Sequence, residues 1–429
     1  AVVIRDLAEV LDNVHIVSTN DIVDFINNKE YMNGDYYTEP TLNSITKTLT
    51  DLTNISLLEV VSPALARWGM QNLNIEGLEF LVDAFDNKLF SGSELLSDIR
   101  TVVSIIQNLI DFGVSDVIFN IELKSINSIY LENIVDAIYN LNVYMKLKAD
   151  WLGYGLGMAL KAINVEVSAQ DFEGILSDQE AFKEAIRNAC SLAENLNIRC
   201  ISDVSAFVND EAYYDKKTYN NTNLQFVQNI LVELVGTNIV KAIFPQLIDY
   251  AIDMAGDMKI DVSFISGSYT NADLAESDIP ALINIVKYAR DFGALQFAKE
   301  QDITDINVEY IKSIIAELEN VKLFTLFRAE WLALGLNYVT PMMEFEVTAK
   351  EFSQFTEEDW LHDNKLLQAI VDVIGEILEN NNLTSYKQIL DYVQNDLRDE
   401  LLTEKIINEV NIDSVGELLT NALAIKVLE

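Results

Sequence analysis

The sequence predicts an all-α protein made of tandem helical repeats that form an elongated rod or solenoid. Three observations carry that expectation. Half of the 429 residues are hydrophobic, and only 16 glycines and 5 prolines interrupt them. Apolar residues recur at spacings of three and four, the period of a helix with one buried face. The stretch ADWLGYGLGMALKAINVEVSAQDF, Ala149 to Phe172, returns 180 residues later as AEWLALGLNYVTPMMEFEVTAKEF, Ala329 to Phe352. Single cores stop growing near roughly 250–300 residues, so this chain is either several domains or elongated. Internal duplication favours stacked units, each contacting its neighbours.

The match extends backwards without a gap. IRTVVSIIQNLIDFG corresponds to IPALINIVKYARDFG, ending at Gly113 and Gly293, and YLENIVDAIYNLNVY corresponds to YIKSIIAELENVKLF, starting at Tyr130 and Tyr310. A more divergent copy lies between them, with FKEAIRNACSLAENL, LQFVQNILVELVGTN and KAIFPQLIDYAIDMAGDMKIDVSF in the same three places. Another fits at the N-terminus (IRDLAEVLDNV, LNSITKTLTDLTN, LLEVVSPALARWGMQNLNIEGLEF), and a fifth begins at NKLLQAIVDVIGEIL. The implied period is about 90 residues. It gives units at 1–93, 94–177, 178–273 and 274–357, and a partial unit at 358–429.

Each unit reads as three main helices. In the first, Ile99, Val102, Val103, Ile105, Ile106, Leu109 and Ile110 recur at the spacing of one buried face, and Gly113 and Gly293 stand where a left-handed residue closes a helix. The second carries Ile134, Val135, Ile138 and Leu141 at helical spacing. Pro280 suits the first turn of its helix, with Ser277 or Asp278 as the cap. The third slot holds the Trp segment. The alternation in INVEVS and FEVT is short and reads as an extended approach to a further helix start, where Ser168/Asp171 and Thr348/Glu351 have capping-box spacing.

Within the Trp segment, Gly153, Gly155 and Gly157 resemble a nucleotide loop only superficially. A dinucleotide fingerprint needs a preceding buried strand and a different glycine spacing. The second copy replaces Gly153 by Ala333 and Gly157 by Asn337 and keeps only Gly335. Trp151, Gly155, Phe172, Trp331, Gly335 and Phe352 are therefore expected to be structural anchors. The indoles would wedge helix junctions, and the two glycines would let helices approach closely. The Tyr-rich loops at 27–40 and 209–223 offer Tyr36, Tyr37, Tyr213, Tyr214 and Tyr219 as candidate partner contacts.

No residue set points to catalysis, a cofactor or a metal. His15 and His362 are the only histidines, too few and too far apart for a nucleophile–base–acid set. EEDWLHD, 357–363, gathers acids, Trp360 and His362, and reads as an acidic helix start. EF-hand spacing is missing. Cys190 and Cys200 are close enough for one local bridge and equally suited to be buried small hydrophobes. Three glycosylation sequons begin at Asn54, Asn220 and Asn382 and are merely permissive.

The net charge of −39 is spread along the chain. It repels phosphate backbones and anionic lipid headgroups, which argues against nucleic acid and electrostatic membrane docking. The longest apolar stretch, IVKAIFPQLIDYAIDMAG, carries Lys241, Asp249 and Asp253, too many charges for a membrane span. The first residue is Ala1, without an initiator Met or a signal-like segment, so the chain is expected to be a processed or excised piece of something longer. The expected function is a non-catalytic structural, adhesive or protein-interaction repeat segment of a larger secreted or surface-displayed bacterial protein. The alternative is a cytoplasmic helical-repeat scaffold that binds a peptide or protein partner.

Overall fold

A computed structural model describes residues 2–27, 36, 38–73, 77–161, 164–209, 215–339, 348–350 and 365–392. Among these residues the regular structure is helical and no strand occurs. The chain divides into two compact units, residues 1–208 with 237–246, and residues 209–236 with 247–429.

The first stretch of chain holds α1 (Val2–Asn13), α2 (Thr19–Asn27), α3 (Glu39–Thr53), α4 (Ser56–Leu73), α5 (Glu79–Asp86) and α6 (Gly92–Phe112). It continues with α7 (Val114–Ile118), α8 (Ser128–Asn140), α9 (Asn142–Lys146), α10 (Lys148–Leu160), α11 (Gln179–Asn195) and α12 (Ile201–Asn209). Then come α13 (Asn221–Val235), α14 (Asn238–Asp257), α15 (Ala272–Phe292), α16 (Ala294–Glu300) and α17 (Val308–Leu318). The last helices are α18 (Lys322–Thr325), α19 (Arg328–Val339), α20 (Lys365–Asn380) and α21 (Tyr386–Asp391).

Packing follows chain order. In the first unit α1 packs on α3, α3 on α6, α6 on α8 and α8 on α11, with α4 laid across α6. In the second unit α13 packs on α15, α15 on α17 and α17 on α20. Leu81, Ala84, Phe85, Phe90 and Leu95 form one core cluster, against which Ala66, Met70 and Trp151 pack. Leu224, Ile279 and Ile283 form another, backed by Val227, Val232 and Val235. Full burial of each such Leu, Ile or Phe stabilises by about 1.5–3 kcal/mol.

The helix ends follow local chemistry. Ser91 and Glu94 close a capping box on α6, and Gly113 ends it at φ 87° with its N–H bonded to the carbonyls of Leu109 and Ile110. Gly293 ends α15 in the same way at φ 113°. The expected place of Pro280 is corrected. α15 starts at Ala272 behind Asn271, whose side chain accepts from the Asp273 N–H, so Pro280 lies inside the helix. Asp278 is free of capping duty on its own helix because it serves another.

That second duty recurs three times. The buried Asp98 carboxylate accepts the backbone N–H of Asn142 at 2.8 Å and of Val143 at 2.9 Å, the first residues of α9. Buried Asp178, just ahead of α11, takes Asn238 N–H at 2.8 Å and Ile239 N–H at 3.0 Å at the start of α14. Buried Asp278 takes Lys322 N–H at 2.5 Å and Leu323 N–H at 2.8 Å at the start of α18. The first amides of a helix lack intrahelical acceptors and carry its positive dipole end, so a carboxylate from a neighbouring helix satisfies both needs. Side chains complete each acceptor shell: Asn142 Nδ2 on Asp98 at 2.8 Å, Asn238 Nδ2 on Asp178 at 2.6 Å, and the Tyr269 hydroxyl on Asp278 at 2.8 Å. Burial, and then Asp278, push the Tyr269 hydroxyl well above the ordinary phenol range. Near the N-terminus the arrangement differs. Buried Asp6 is held by Arg5 and Lys47, each at 3.0 Å.

Two outcomes follow from this chemistry. Asp278→Asn keeps the shape but turns an amide donor toward a backbone donor, and denaturant unfolding should record a loss of about 2–4 kcal/mol. Glu94 is held down to about 2, first by Lys146 and then by the Ser91 amide and hydroxyl. Its folded value lies below its unfolded value, so its stabilising contribution is complete above about pH 4.5 and fades as pH falls toward 2. Carboxylate NMR should give a midpoint near 2 for Glu94, and Lys146→Met should move it upward.

Candidate functional site

The duplicated Trp segment lies on α10 and α19, directly after the helix starts capped by Asp98 and Asp278. Trp151 Nε1 donates to the Val143 carbonyl at 3.3 Å, and Trp331 Nε1 donates to the Leu323 carbonyl at 2.9 Å. The same residue is thus held by its N–H from an aspartate and by its C=O from an indole. Both rings are half-buried. Trp151 meets Phe80 edge-on at 5.3 Å, and Trp331 meets Phe264 edge-on at 5.1 Å. Phe172 is fully buried at the end of a 3-10 turn, Ala169–Phe172. Asp171 accepts from Ser168 N–H at 2.7 Å before that turn. Phe352 lies outside the described residues.

The glycines are corrected. A Cβ on Gly155 or Gly335 would meet no described atom within 4 Å, so among the described residues neither marks a close approach. A Cβ on Gly153 would sit 2.4 Å from the Ala169 backbone nitrogen. The turn after α10 folds back onto that helix, and the bare face of Gly153 is where its backbone rests. The second copy carries buried Ala333 at the matching place, and the counterpart of the returning turn falls largely outside the described residues.

The tyrosines separate into two groups. Tyr37, Tyr213 and Tyr214 lie outside the described residues. Tyr36 is half-buried and stacks edge-on against Phe25 at 5.3 Å. Tyr219 packs on the Leu224–Ile279–Ile283 cluster, and its carbonyl accepts Arg290 Nη1 at 2.6 Å. Tyr219 is half-buried, with part of its ring covering that cluster.

An exposed surface that sequence reasoning missed lies on α4. Leu57, Val60, Leu65 and Trp68 stand exposed along one side of this helix, with Val60 at 77% and Trp68 at 65% of full exposure. The opposite side packs inward through Ala66 and Met70. A helix apolar on both sides is normally buried on both. An exposed apolar patch of this kind marks an interaction site more often than an ordinary surface. The signal was present in the sequence, since SLLEVVSPALARWGM has Glu59 and Arg67 as its only charges. Helical period alone does not separate a stripe from a fully apolar helix.

Two polar grooves lie elsewhere. A cavity of about 710 Å³ between α17 and α20 is lined by Glu309, Lys312, Asp372, Glu376 and Glu379. Lys312 is engaged there by Glu309 and Asp372, and these two raise its ammonium pKa, Asp372 more strongly. A smaller one of about 400 Å³ between α6 and α8 is lined by Ser97, Thr101, Ser104, Asn108 and Asn133. Among the described residues no group of three His, Cys, Asp or Glu side chains is placed to hold a metal ion. Cys190 and Cys200 are unbridged. Residues 357–363, including His362, lie outside the described residues, and His15 sits exposed just past α1 at φ 60°. Among the described residues no single helix is long and apolar enough to cross a membrane. No family model, curated protein or solved structure matches the chain.

Gly153→Ala should cost about 1–3 kcal/mol by overpacking against the turn, whereas Gly155→Ala should be neutral or stabilise by up to about 1 kcal/mol, as for an open helical position. Thermal and urea unfolding of the two variants side by side would check this. Trp331→Phe keeps most of the apolar contact and loses the bond to the Leu323 carbonyl, for an expected loss of about 1–2 kcal/mol.

Proposed function

We propose that this chain is a non-catalytic tandem helical-repeat segment whose role is protein interaction, with the exposed side of α4 as its contact face. The single observation that carries the interaction reading is the apolar stripe Leu57, Val60, Leu65 and Trp68. The repeat reading, with units near 1–93, 94–177, 178–273, 274–357 and 358–429, draws support from three sources. The 180-residue correspondence covers about 80 residues of sequence. The aspartate-capped helix start recurs at α9, α14 and α18. First-slot and second-slot helices alternate as packing neighbours within each compact unit.

The parent is proposed to be a larger secreted or surface-displayed bacterial protein in which the segment is structural or adhesive. Its acidity suits a well-solvated exterior. The complete parental gene tests this, since one lacking both an export signal and an anchor would defeat it and favour a cytoplasmic scaffold.

Two experiments address the rest. Hydrogen exchange on the whole chain carrying Asp278→Asn should speed exchange in α15, α18 and α19 and leave α6, α8 and α10 protected, as for units with their own cores. A uniform loss of protection would overturn the repeat reading. A photo-crosslinking residue at Val60 should trap a defined protein partner in the source organism, and Leu57→Ser with Trp68→Ser should abolish trapping at unchanged stability. Absence of any crosslinked species would remove α4 as the contact face.

A further inference from the structure

The helices α1, α11 and α20 end alike. After each the chain turns on a left-handed residue, His15 at φ 60°, Asn197 at 56° and Asn382 at 53°. The next N–H closes the turn on the carbonyl five residues back: Ile16 on Leu11 at 2.8 Å, Ile198 on Ala193 at 2.9 Å, Leu383 on Leu378 at 2.8 Å. One side chain then takes two N–H groups ahead of the following helix. Asp21 takes those of Val17 and Ser18 at 3.0 and 2.7 Å. Asp203 takes those of Arg199 and Cys200 at 2.7 and 2.9 Å, and Gln388 those of Thr384 and Ser385 at 2.8 and 3.0 Å. The three stretches therefore align residue for residue, which places Arg5 with Arg187 and Asp372.

Two of these endings are covered by a preceding helix and its loop. Arg187 on α11 donates to Glu132 of α8, and the matching Asp372 on α20 engages Lys312 of α17. Glu132 and Lys312 are themselves matching positions of the duplicated segment. Ser202 and Lys387, which match, each donate N–H to a side chain of the loop ahead of that helix, Asn120 and Asp302, both at 3.1 Å. The carbonyls of Arg199 and Thr384 accept N–H groups from the same loops, Leu123 at 3.3 Å and Ile306 at 3.1 Å, from different places within them. On α1 the matching groups are Arg5, the Asn20 N–H and the Val17 carbonyl. Among the described residues neither backbone group has a hydrogen-bond partner. The Arg5 side chain is 67% exposed and bonded only to Asp6 beside it. Ile4 is 74% exposed, whereas its counterparts Ile186 and Val371 are half-buried and buried.

We infer that α1 and the turn after it dock another repeat unit of this same kind, which lays a helix of the α8 type along α1 with an acid opposite Arg5. The inference rests on the repeat reading. Charge selects the α8 type over the α17 type, since a lysine at the place of Lys312 would face Arg5, and like-charge contacts exclude wrong partners. The loop ahead of the incoming helix takes the Val17 carbonyl and the Asn20 N–H, and the helix covers Ile4. Arg5 turns from Asp6 to the incoming acid, and Asp6 keeps Lys47 at 3.0 Å.

A fluorescent peptide of residues 114–142, which carries the loop and α8, is the probe, and its anisotropy is titrated with the whole chain. An isolated helix of this length is marginal in water, so the titration runs to millimolar concentration, where saturable binding is expected. Arg5→Glu in the chain should weaken binding at least about tenfold, as should Glu132→Arg in the peptide, and combining the two should restore it. The peptide variant leaves the chain untouched, so its effect cannot come from misfolding. Absence of saturable binding would overturn the inference, as would a charge exchange that fails to restore it. Binding lost with Arg187→Glu and kept with Arg5→Glu would also overturn it, because the peptide would then have displaced α8 from α11. If the peptide fails while Asp278→Asn gives the expected exchange pattern, this face is removed and the repeat reading stands.

Discussion

A buried carboxylate at the foot of a neighbouring helix is the constraint around which this protein is organised. A helix start has unsatisfied amides that cannot be buried without acceptors. Here α9, α14 and α18 begin beside packed helices, and Asp98, Asp178 and Asp278 supply the acceptors. Each aspartate is itself buried, so removing the cap leaves orphaned donors, and removing the donors leaves an unpaired charge. That mutual dependence fixes where α9, α14 and α18 begin. At α9 and α18 the following indole fixes the same residue by its carbonyl. The helices on either side then have little freedom of register.

Packing between successive helices has a second layer of specification. Arg187 on α11 donates through Nε and Nη2 to Glu132 on α8, at 2.9 and 2.7 Å, and Lys183 reaches Asp136 at 3.0 Å. Between α17 and α20 the sense reverses, with Lys312 on the earlier helix engaging Asp372 on the later one. Exchanging these partners would set Glu132 against Asp372 and Lys312 against Arg187. Such pairs are worth little as stabilisers at an exposed surface. Like-charge juxtaposition in a wrong pairing is costly enough to disfavour it. Charge in this acidic chain therefore bears on the order of the helices as well as on hydration.

The contact of residues 117–123 with 199–204 and that of residues 297–306 with 384–388 carry different side chains. One is closed by Phe297 and Tyr386, and the other is left open beside Arg199 and two unbridged thiols. The α4 stripe has the same character, an apolar face exposed on a helix whose other side is already packed.

The helical class and the stops at Gly113 and Gly293 were legible in the sequence. They depend on period and on local backbone preference, which a few neighbouring residues determine. Which 3 of the 68 acidic residues would cap a distant helix was not legible, because an aspartate serving a helix 44 or 60 residues away leaves no local pattern. The reading of Pro280 failed for that reason, with Asp278 assigned to its own helix instead of to α18. The glycines failed similarly. Comparison of copies favoured Gly155 because it is retained, whereas the close approach falls on Gly153, where a distant turn happens to land. Periodicity determined that this chain would be helical. Only the tertiary structure decided which polar atoms face each other across it, since burial gives a carboxylate or an indole N–H its partner only when the helices have met.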